Sequence, residues 1–128
     1  MVLDGLKFDE QGLIPAVIQD ADNGEVLMVG YMNREAVQRT LETGRVTFWS
    51  RSRRKFWVKG ETSGNVQHVK EVRVDCDQDC LLIRADQVGP ACHEGYRTCF
   101  FRRVDAGADR LEVVGEPLRT PEEMYGVR

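Results

Sequence analysis

Short apolar runs, separated by glycine-containing or charged segments, follow one another along most of the chain. The first two, Leu13–Gln19 and Glu25–Tyr31, are separated by a polar segment that ends in Asn23-Gly24. Asn-Gly between two apolar runs is a strong signal for a β-hairpin. Further runs are predicted as strands, and the first of them is rich in β-branched and aromatic residues, which is typical of strands. They occupy Arg45–Ser50, Phe56–Lys59, Val66–Val74, Leu81–Asp86, Thr98–Val104 and Leu111–Val114.

One segment has the pattern of a helix instead. Asn33 can cap its first turn, and Gly44 fits its end. The pattern therefore predicts a single α+β domain over residues 1–128, mainly β with one main helix, and a tail over residues 105–128 that is expected to be extended. The narrow apolar face of the helix comprises Ala36, Val37, Thr40 and Leu41.

Composition narrows the class of protein. The chain has 128 residues, of which 41% are apolar and 30% charged, as in ordinary globular domains. Its formal net charge of −3 argues against a nucleic-acid binder. No apolar run approaches the ~20 residues of a membrane span, and the N-terminus lacks the apolar region of a signal peptide. We therefore expect a cytoplasmic protein whose four cysteines bind metal or react, because disulfides are rare in a reducing compartment.

The segment Val74–Cys80, which reads V-D-C-D-Q-D-C, concentrates potential metal ligands. Carboxylates suit Mg²⁺ or Mn²⁺, whereas thiolates suit Zn²⁺. On an extended backbone the three carboxylates would point to one face and Cys76 to the other. A straight strand would hold Asp75 and Asp79 about 13 Å apart, so a shared ion requires a bend here. The alternative interpretation is an acidic surface turn between two strands.

A basic cluster lies between two tryptophans. Four of the five residues in Arg51–Lys55 are basic, and Trp49 and Trp57 flank them. Guanidinium groups and hydroxyls on a loop bind phosphate well, and an adjacent aromatic ring could stack on a base. The alternative is a solvated hairpin tip whose tryptophans lie in the core. His68, in the next strand, has no adjoining acidic or thiol residue, and we expect it to be a partly buried or edge residue.

Two further thiols, Cys92 and Cys99, are separated by six residues, which is wider than the knuckle of structural zinc modules. With Cys76 they form a set of three thiolates that leaves a fourth zinc position open, as in reactive sites. Cys80 could fill that position and make the site structural. Strand parity does not exclude this role, because Cys76 and Cys80 would lie on the same face of an extended strand. We favour the open site because His93 adjoins Cys92 and could carry a proton.

Three familiar motifs are not matched. An EF-hand loop requires Gly and Glu where this chain has Cys80 and Asp86. The H-x-E and P-C-x-x-C pattern of zinc nucleobase deaminases and the Gly-rich phosphate loop are also missing. Two other functions stay open: a zinc-stapled dimer that binds a nucleotide or another anion without turnover, and a hydrolase of another nucleotide ring, such as a deaminase.

Three motifs occur in order between residues 13 and 103: W-S-R-S-R with W-V-K-G-E-T-S-G-N, then D-C-D-Q-D, then C-H-E-G-Y-R-T-C-F. Together they resemble phosphoribosyl-AMP cyclohydrolase of histidine biosynthesis, in its monofunctional form because no fused pyrophosphohydrolase domain is expected after so short a chain. The resemblance implies hydrolysis of the N1–C6 bond of the purine ring of phosphoribosyl-AMP by zinc-activated water with magnesium assistance. It also implies a small twisted antiparallel sheet, barrel-like, in an intertwined homodimer.

The same resemblance implies two metal sites in each subunit. One Mg²⁺ would lie on the carboxylates, and one Zn²⁺ would be shared across the dimer. This division agrees with the strand alternation that separates Cys76 from the carboxylates. The ligands implied by position are Asp75, Asp77 and Asp79 for Mg²⁺, and Cys92 and Cys99 of one subunit with Cys76 of the partner subunit for Zn²⁺.

The remaining site residues are our own hypotheses for catalysis and for binding of the small nucleotide substrate. His93 is the expected general acid–base residue, and Cys80 receives no role. A loop of guanidinium groups and hydroxyls would bind the substrate phosphate. The expected substrate contacts are Trp49, Ser50, Arg51, Ser52, Arg53, Lys59 and Ser63.

Overall fold

The chain folds mainly into strands, with one main helix, as the sequence predicts. The computed structural model describes residues 2–125 and the side chains of residues 2–124; residues 1 and 126–128 of the predicted domain and tail lie outside the described residues. After a 3-10 helix at Val2–Gly5, the described helices are α1 (Arg34–Thr43) and α2 (Pro121–Tyr125). The described strands are β1 (Ile14–Asp20), β2 (Val26–Met32), β3 (Thr47–Ser50), β4 (Lys55–Val58), β5 (Gln67–Val74), β6 (Leu81–Gln87), β7 (Arg102–Asp105) and β8 (Arg110–Val113).

Four strands form the main sheet, in the order β2-β1-β6-β5. β1 and β2 form the hairpin that Asn23-Gly24 predicts, and β5 and β6 are also antiparallel. β1 and β6 run parallel, however, with Ala16 beside Leu81. The expectation of a wholly antiparallel sheet is therefore wrong at this pair, where the long segment between β1 and β6 provides the crossover that parallel pairing needs. β2 and β5 are the outer strands of this sheet, and an isolated antiparallel bridge joins Arg45 to His68 on the outer side of β5.

Both predicted caps of α1 are confirmed. The side chain of Asn33 accepts a hydrogen bond from the backbone N–H of Ala36 at 2.8 Å. Gly44 lies in the left-handed region, with φ of 73°, and its N–H donates to the Thr40 carbonyl at 3.0 Å. These bonds satisfy backbone groups that would otherwise have no partner at the two ends of the helix.

The apolar face of α1 differs from the prediction at one residue. Ala36, Val37 and Thr40 are buried, but Leu41 is 46% exposed. The Thr40 hydroxyl donates to the Ala36 carbonyl at 2.8 Å and accepts from the Thr47 backbone N–H at 3.0 Å. Because this bond faces Thr40 towards β3, the next residue along the helix points to solvent.

The core is built by β1, β2, β6, α1 and β3. Alternate residues of β1 and β6 are buried, as expected for strands with one covered face. Full burial of each large aliphatic or aromatic side chain stabilises the fold by roughly 1.5–3 kcal/mol. The largest fully buried apolar side chains are Phe48, Ile14, Ile18, Leu27, Met32, Leu81, Ile83 and Val46.

A β-bulge interrupts the predicted alternation along Val66–Val74. The register of β5 shifts between Val69 and Glu71, so that Val69 and Val72 both pack against the core. A bulge inserts an extra residue and thereby reverses the parity of the strand beyond it. His68 is exposed on this edge strand, which confirms the expectation of an edge histidine.

Two separate hairpins complete the strands. β3 pairs with β4, and β7 pairs with β8. The predicted strand Thr98–Val104 begins only at Arg102, because residues 98 and 99 bond to the carbonyls of β2 instead. The tail is not extended throughout: it contains α2, where Met124 is buried. None of the helices in the part of the chain that the structure describes is long and apolar enough to cross a membrane.

Replacing Gly30 with alanine should destabilise the fold. A Cβ at this position would lie 2.4 Å from two ring atoms of Phe48, which is itself buried at 1% exposure. We expect Gly30→Ala to lower the free energy of unfolding by about 1–3 kcal/mol, measured by urea denaturation, because the overpacked ring must move. Gly107→Ala is the matched control: its Cβ would lie 3.7 Å from the nearest side-chain atom, and equal losses in the two variants would contradict this account.

Candidate active site

The acidic segment forms the turn between β5 and β6, with Val74 paired to Leu81. One carboxylate oxygen of Asp75 accepts hydrogen bonds from the backbone N–H groups of Asp79 at 3.0 Å and Cys80 at 3.1 Å. Gln78 has a φ of 63°, a left-handed conformation that reverses the chain. The bend that a shared ion requires is therefore present, and the segment is also the acidic turn of the alternative interpretation.

The bend brings the three carboxylates together. Ligand oxygens of Asp75, Asp77 and Asp79 lie within 4.8 Å of one another, and all three residues are exposed. Side-chain hydrogen bonds with Asp77 and then Asp75 raise the pKa of the Asp79 carboxyl. Burial opposes ionisation of Asp75, but hydrogen bonds from the Asp79 backbone and neighbouring groups leave the pKa of Asp75 lowered overall. Crowded oxygen ligands of this kind fit a hard divalent cation such as Mg²⁺.

The second group of potential ligands lies on the loop between β6 and β7. Cys92 is buried, and its backbone N–H donates to the Tyr96 carbonyl at 3.1 Å. At the other end of the loop, the N–H of Cys99 donates to the Leu27 carbonyl at 2.7 Å, and the Thr98 hydroxyl donates to the Val26 carbonyl at 2.7 Å. These bonds dock the loop against β2.

Arg97 holds the same loop to the turn between β1 and β2. Its guanidinium forms an ion pair with Asp20 and donates from Nε to the Glu25 carboxylate at 2.9 Å. Asp20 is 4% exposed, and its other oxygen accepts from the backbone N–H groups of Asp22 and Asn23 within the turn. One buried carboxylate thus shapes the first hairpin and fixes the loop that carries Cys92 and Cys99.

Cys92 and Cys99 are close enough to influence each other's ionisation. Burial and then the neighbouring Cys92 raise the pKa of Cys99 to about 11, although Cys99 as a residue is exposed. Lys59 is nearby and buried, with its ammonium group donating to the Ala91 carbonyl at 2.5 Å. Burial lowers the pKa of Lys59, and the charges of Cys99 and Cys92 partly restore it.

A cleft of about 610 Å³, the first cleft, opens beside this thiol pair. Its walls come from β4, from the turn after β4 and from the loop after β6. Sequence reasoning gave no role to several other residues of this cleft, which come from separate parts of the chain: Met28, Phe56, Thr62 and Ala91. The predicted site residues that line it are Ser50, Arg53, Lys59, Ser63, His93 and Cys99.

The other predicted substrate contacts line a different space. Trp49, Arg51 and Ser52 border a second cleft of about 590 Å³, which also includes Ser50 and Trp57. Neither tryptophan is fully buried, although Trp49 packs against the core. The basic turn itself is exposed. The structure thus divides the seven predicted contacts between two clefts.

Cys76 and Cys80 are not gathered with the thiol pair within one chain. Among residues 2–124, the three aspartates are the only group of three or more potential ligands whose atoms lie within 4.8 Å of one another. Burial and then the charges of the aspartates raise the pKa of Cys80, which places its thiol beside the acidic turn. The parity argument that put Cys80 on the face of Cys76 fails because the chain turns between them. A zinc ion on Cys92 and Cys99 would therefore need a further ligand from outside the chain.

Cys99 should be alkylated slowly in the metal-free protein. Its raised pKa leaves the thiol protonated at pH 8–9, so its reaction with iodoacetamide should accelerate up to a midpoint near pH 11. In urea the midpoint should fall towards the ordinary value of about 8.5. Lys59→Met should move the folded midpoint higher, because the ammonium group lowers the pKa of Cys99. Mass spectrometry of the Cys99 peptide measures each rate, and identical folded and unfolded midpoints would contradict the prediction.

Comparisons with known proteins identify the family of this chain. The family model for phosphoribosyl-AMP cyclohydrolase matches residues 28–101, which include both groups of potential ligands. A protein of this name from Pelotomaculum thermopropionicum is 58% identical over 98% of this chain and 97% of its own length. One from Dinoroseobacter shibae is 64% identical over 81% of this chain and 87% of its own length. One from Methanosarcina barkeri is 58% identical over 95% of this chain and 90% of its own length. The chain therefore belongs to the phosphoribosyl-AMP cyclohydrolase family.

Proposed function

We propose that this chain hydrolyses the N1–C6 bond of the purine ring of phosphoribosyl-AMP, to give the ring-opened formimino-aminoimidazole carboxamide ribonucleotide in histidine biosynthesis. The first cleft carries the proposal, because a thiol, an imidazole and basic and hydroxyl side chains line one space: Cys99, His93, Arg53, Lys59 and Ser63. The name of the matching relatives supports the substrate. All four cysteines are free, which fits a protein of the reducing cytoplasm.

Zinc is the metal that the thiol pair fits. Cys92 and Cys99 offer two soft ligands, and their mutual repulsion on deprotonation would be relieved by a cation. Cys76 of the partner subunit would supply the third thiolate, which gives one zinc per subunit. Zinc bound there would act as a Lewis acid that makes a water molecule more acidic.

Magnesium fits the aspartate group. One oxygen of Asp75 is used by the backbone of the turn, which orients the carboxylate, and Asp77 and Asp79 converge on the same point. One magnesium ion per subunit would serve as a template that positions phosphate or hydroxyl groups of the substrate.

His93 would move the protons of the reaction. It is exposed in the first cleft and follows Cys92 in the chain, so its imidazole can reach a water molecule beside the thiols. It would take a proton from the water that attacks C6 and return a proton to N1 as the bond to C6 breaks. N1 carries the ribosyl phosphate in this substrate, which activates C6 towards attack.

A homodimer is part of the proposal, since the third thiolate must come from another chain. Support comes from the β7–β8 hairpin, whose apolar side chains are exposed within the described part of the chain: Val104 is 71% exposed, Leu111 64% and Val113 53%. Large exposed apolar patches often mark protein–protein contacts. An intertwined pairing would bury it and bring Cys76 of the partner subunit to the thiol pair.

The purified protein should turn over phosphoribosyl-AMP when zinc and magnesium are supplied. Ring opening is followed by its ultraviolet absorbance change, after chelator treatment and then addition of zinc alone or zinc with magnesium. We expect activity to need zinc and to rise with magnesium. No turnover with both metals would count against the function, and release of ammonia would indicate a deaminase instead, because breaking N1–C6 releases none.

His93→Ala should fold, bind zinc and turn over at least about 100-fold more slowly, since general acid–base catalysis contributes on the order of 10²–10⁴ in rate. The chain has only one other histidine, and it provides the matched control. His68→Ala, at an exposed residue of β5 that lines neither cleft, should keep the wild-type rate. Zinc content and circular dichroism verify both variants. An unchanged rate in His93→Ala would remove His93 from the mechanism.

Subunit complementation tests whether zinc is shared between chains. Cys76→Ser and Cys99→Ser should each be inactive alone, because every zinc site in either homodimer lacks one thiolate. Mixed and allowed to exchange subunits, they form hybrids in which one site has all three thiolates. Random exchange should restore about a quarter of wild-type activity. If Cys76 and Cys99 served the same chain's zinc, mixing would restore nothing.

A further inference from the structure

The second cleft is lined by neither Cys92 nor Cys99. Arg51 is the only charged residue among those that line it, and Ser50 and Ser52 add hydroxyl groups. Trp49 and Trp57 contribute aromatic faces. A single cation, hydroxyl donors and aromatic rings, with no carboxylate, form a surface suited to a phosphate group attached to a nucleoside.

Arg51 is held in place within this cleft. Its guanidinium carbon lies 4.3 Å from the centre of the Tyr31 ring, in the geometry of a cation–π contact. Tyr31 belongs to β2 and also lines the cleft. A guanidinium stacked on one face keeps its N–H groups in the plane of the fork, where they can donate to a phosphate.

The turn that follows β3 separates the two arginines of the S-R-S-R motif. The backbone N–H of Arg53 donates to the Ser50 hydroxyl at 3.2 Å, and the backbone N–H of Arg54 donates to the Ser50 carbonyl at 2.8 Å. Arg51 then lines the second cleft and Arg53 the first. Ser50 and Trp57 line both, so the two clefts adjoin along the β3–β4 hairpin.

This arrangement matches the shape of the substrate under the proposed function, on which the inference rests. Phosphoribosyl-AMP carries two phosphorylated riboses at opposite ends of its purine, one on N1 and one on N9. The bond that breaks joins N1 to C6 and must lie near His93 and Cys99, in the first cleft. In that pose the ribose on N1 would lie in the cleft that Arg53 lines, and the ribose on N9 would extend away from the thiols.

We infer that the second cleft binds the 5′-phosphate of the AMP portion of the substrate, with Arg51 as its principal cation and Trp49 beside it. The first cleft, with Arg53, holds the reacting end of the purine and the phosphoribosyl group on N1. Two basic residues that are two positions apart in the sequence thus serve different ends of one ligand.

AMP is the probe, because it carries the phosphorylated ribose on N9 and lacks the one on N1. The chain has two tryptophans, so Trp57→Phe leaves Trp49 as the single tryptophan reporter. Trp49 lines the second cleft but not the first. In this background AMP should change the Trp49 emission saturably, and adenosine, which lacks the phosphate, should bind about tenfold or more weakly. Equal binding of AMP and adenosine, or no saturable signal with AMP, would overturn the inference.

Arg51→Gln and Arg53→Gln form the matched pair. Both arginines are exposed, in the same turn, and carry the same charge. Arg51→Gln should weaken AMP binding about tenfold and remove the difference between AMP and adenosine, whereas Arg53→Gln should change AMP binding by less than about threefold. Equal losses in both would indicate a general attraction to a basic loop and would overturn the assignment.

A second measurement avoids the Trp57 substitution. Broadening of the ³¹P resonance of AMP by the protein with both tryptophans should be lost in Arg51→Gln and kept in Arg53→Gln. These binding results are independent of turnover. AMP binding that depends on Arg51 in a protein that does not open phosphoribosyl-AMP would refute the function and leave the phosphate subsite standing. Turnover of phosphoribosyl-AMP with no role for Arg51 in AMP binding would support the function and refute the phosphate subsite.

Discussion

The site depends on how the loop that carries Cys92 and Cys99 is docked on the first hairpin. Backbone and hydroxyl groups of residues 98 and 99 bond to the carbonyls of β2, and the guanidinium of Arg97 pairs with the buried carboxylate of Asp20. A charge pair with one buried member is costly to break, because the remaining charge would lie unpaired in the interior. The contact therefore fixes the thiols relative to the main sheet.

Docking of this loop also determines the electrostatics around the thiols. The Ala91 carbonyl accepts from the ammonium group of Lys59, which brings a buried cation beside Cys92 and Cys99. The carboxylates of the acidic turn converge at a separate place, between β5 and β6. Soft sulfur ligands with a cation and crowded hard oxygen ligands are thus kept apart within one chain, and the proposal of a different metal at each rests on this separation.

The β3–β4 hairpin gives the molecule two clefts instead of one. Its strands are short, and the turn between them is held by hydrogen bonds to Ser50. Because side chains on either side of such a turn point in different directions, a continuous basic run in the sequence becomes two separate basic surfaces. A ligand with two anionic ends suits this arrangement better than a ligand with one.

Much of this was determined by the sequence itself. The strand-rich pattern, the Asn23-Gly24 hairpin, both caps of α1 and the need for a bend in the acidic segment follow from local backbone preferences, which act over a few residues. The motifs around Cys76 and Cys92 also identified the family. Local rules failed where contacts distant in sequence intervene, as at Leu41, which is displaced from the core by the bond between Thr40 and Thr47.

Only the tertiary structure decided the parallel pairing of β1 with β6, the burial of Lys59 and the division of Arg51 from Arg53 between two clefts. Each depends on which segments meet across the fold, and periodicity along the chain carries no information about that meeting. The ion pair of Arg97 with Asp20 is the clearest case. Two ordinary charged residues, far apart in the sequence, become the anchor of the site because one of them is buried on folding.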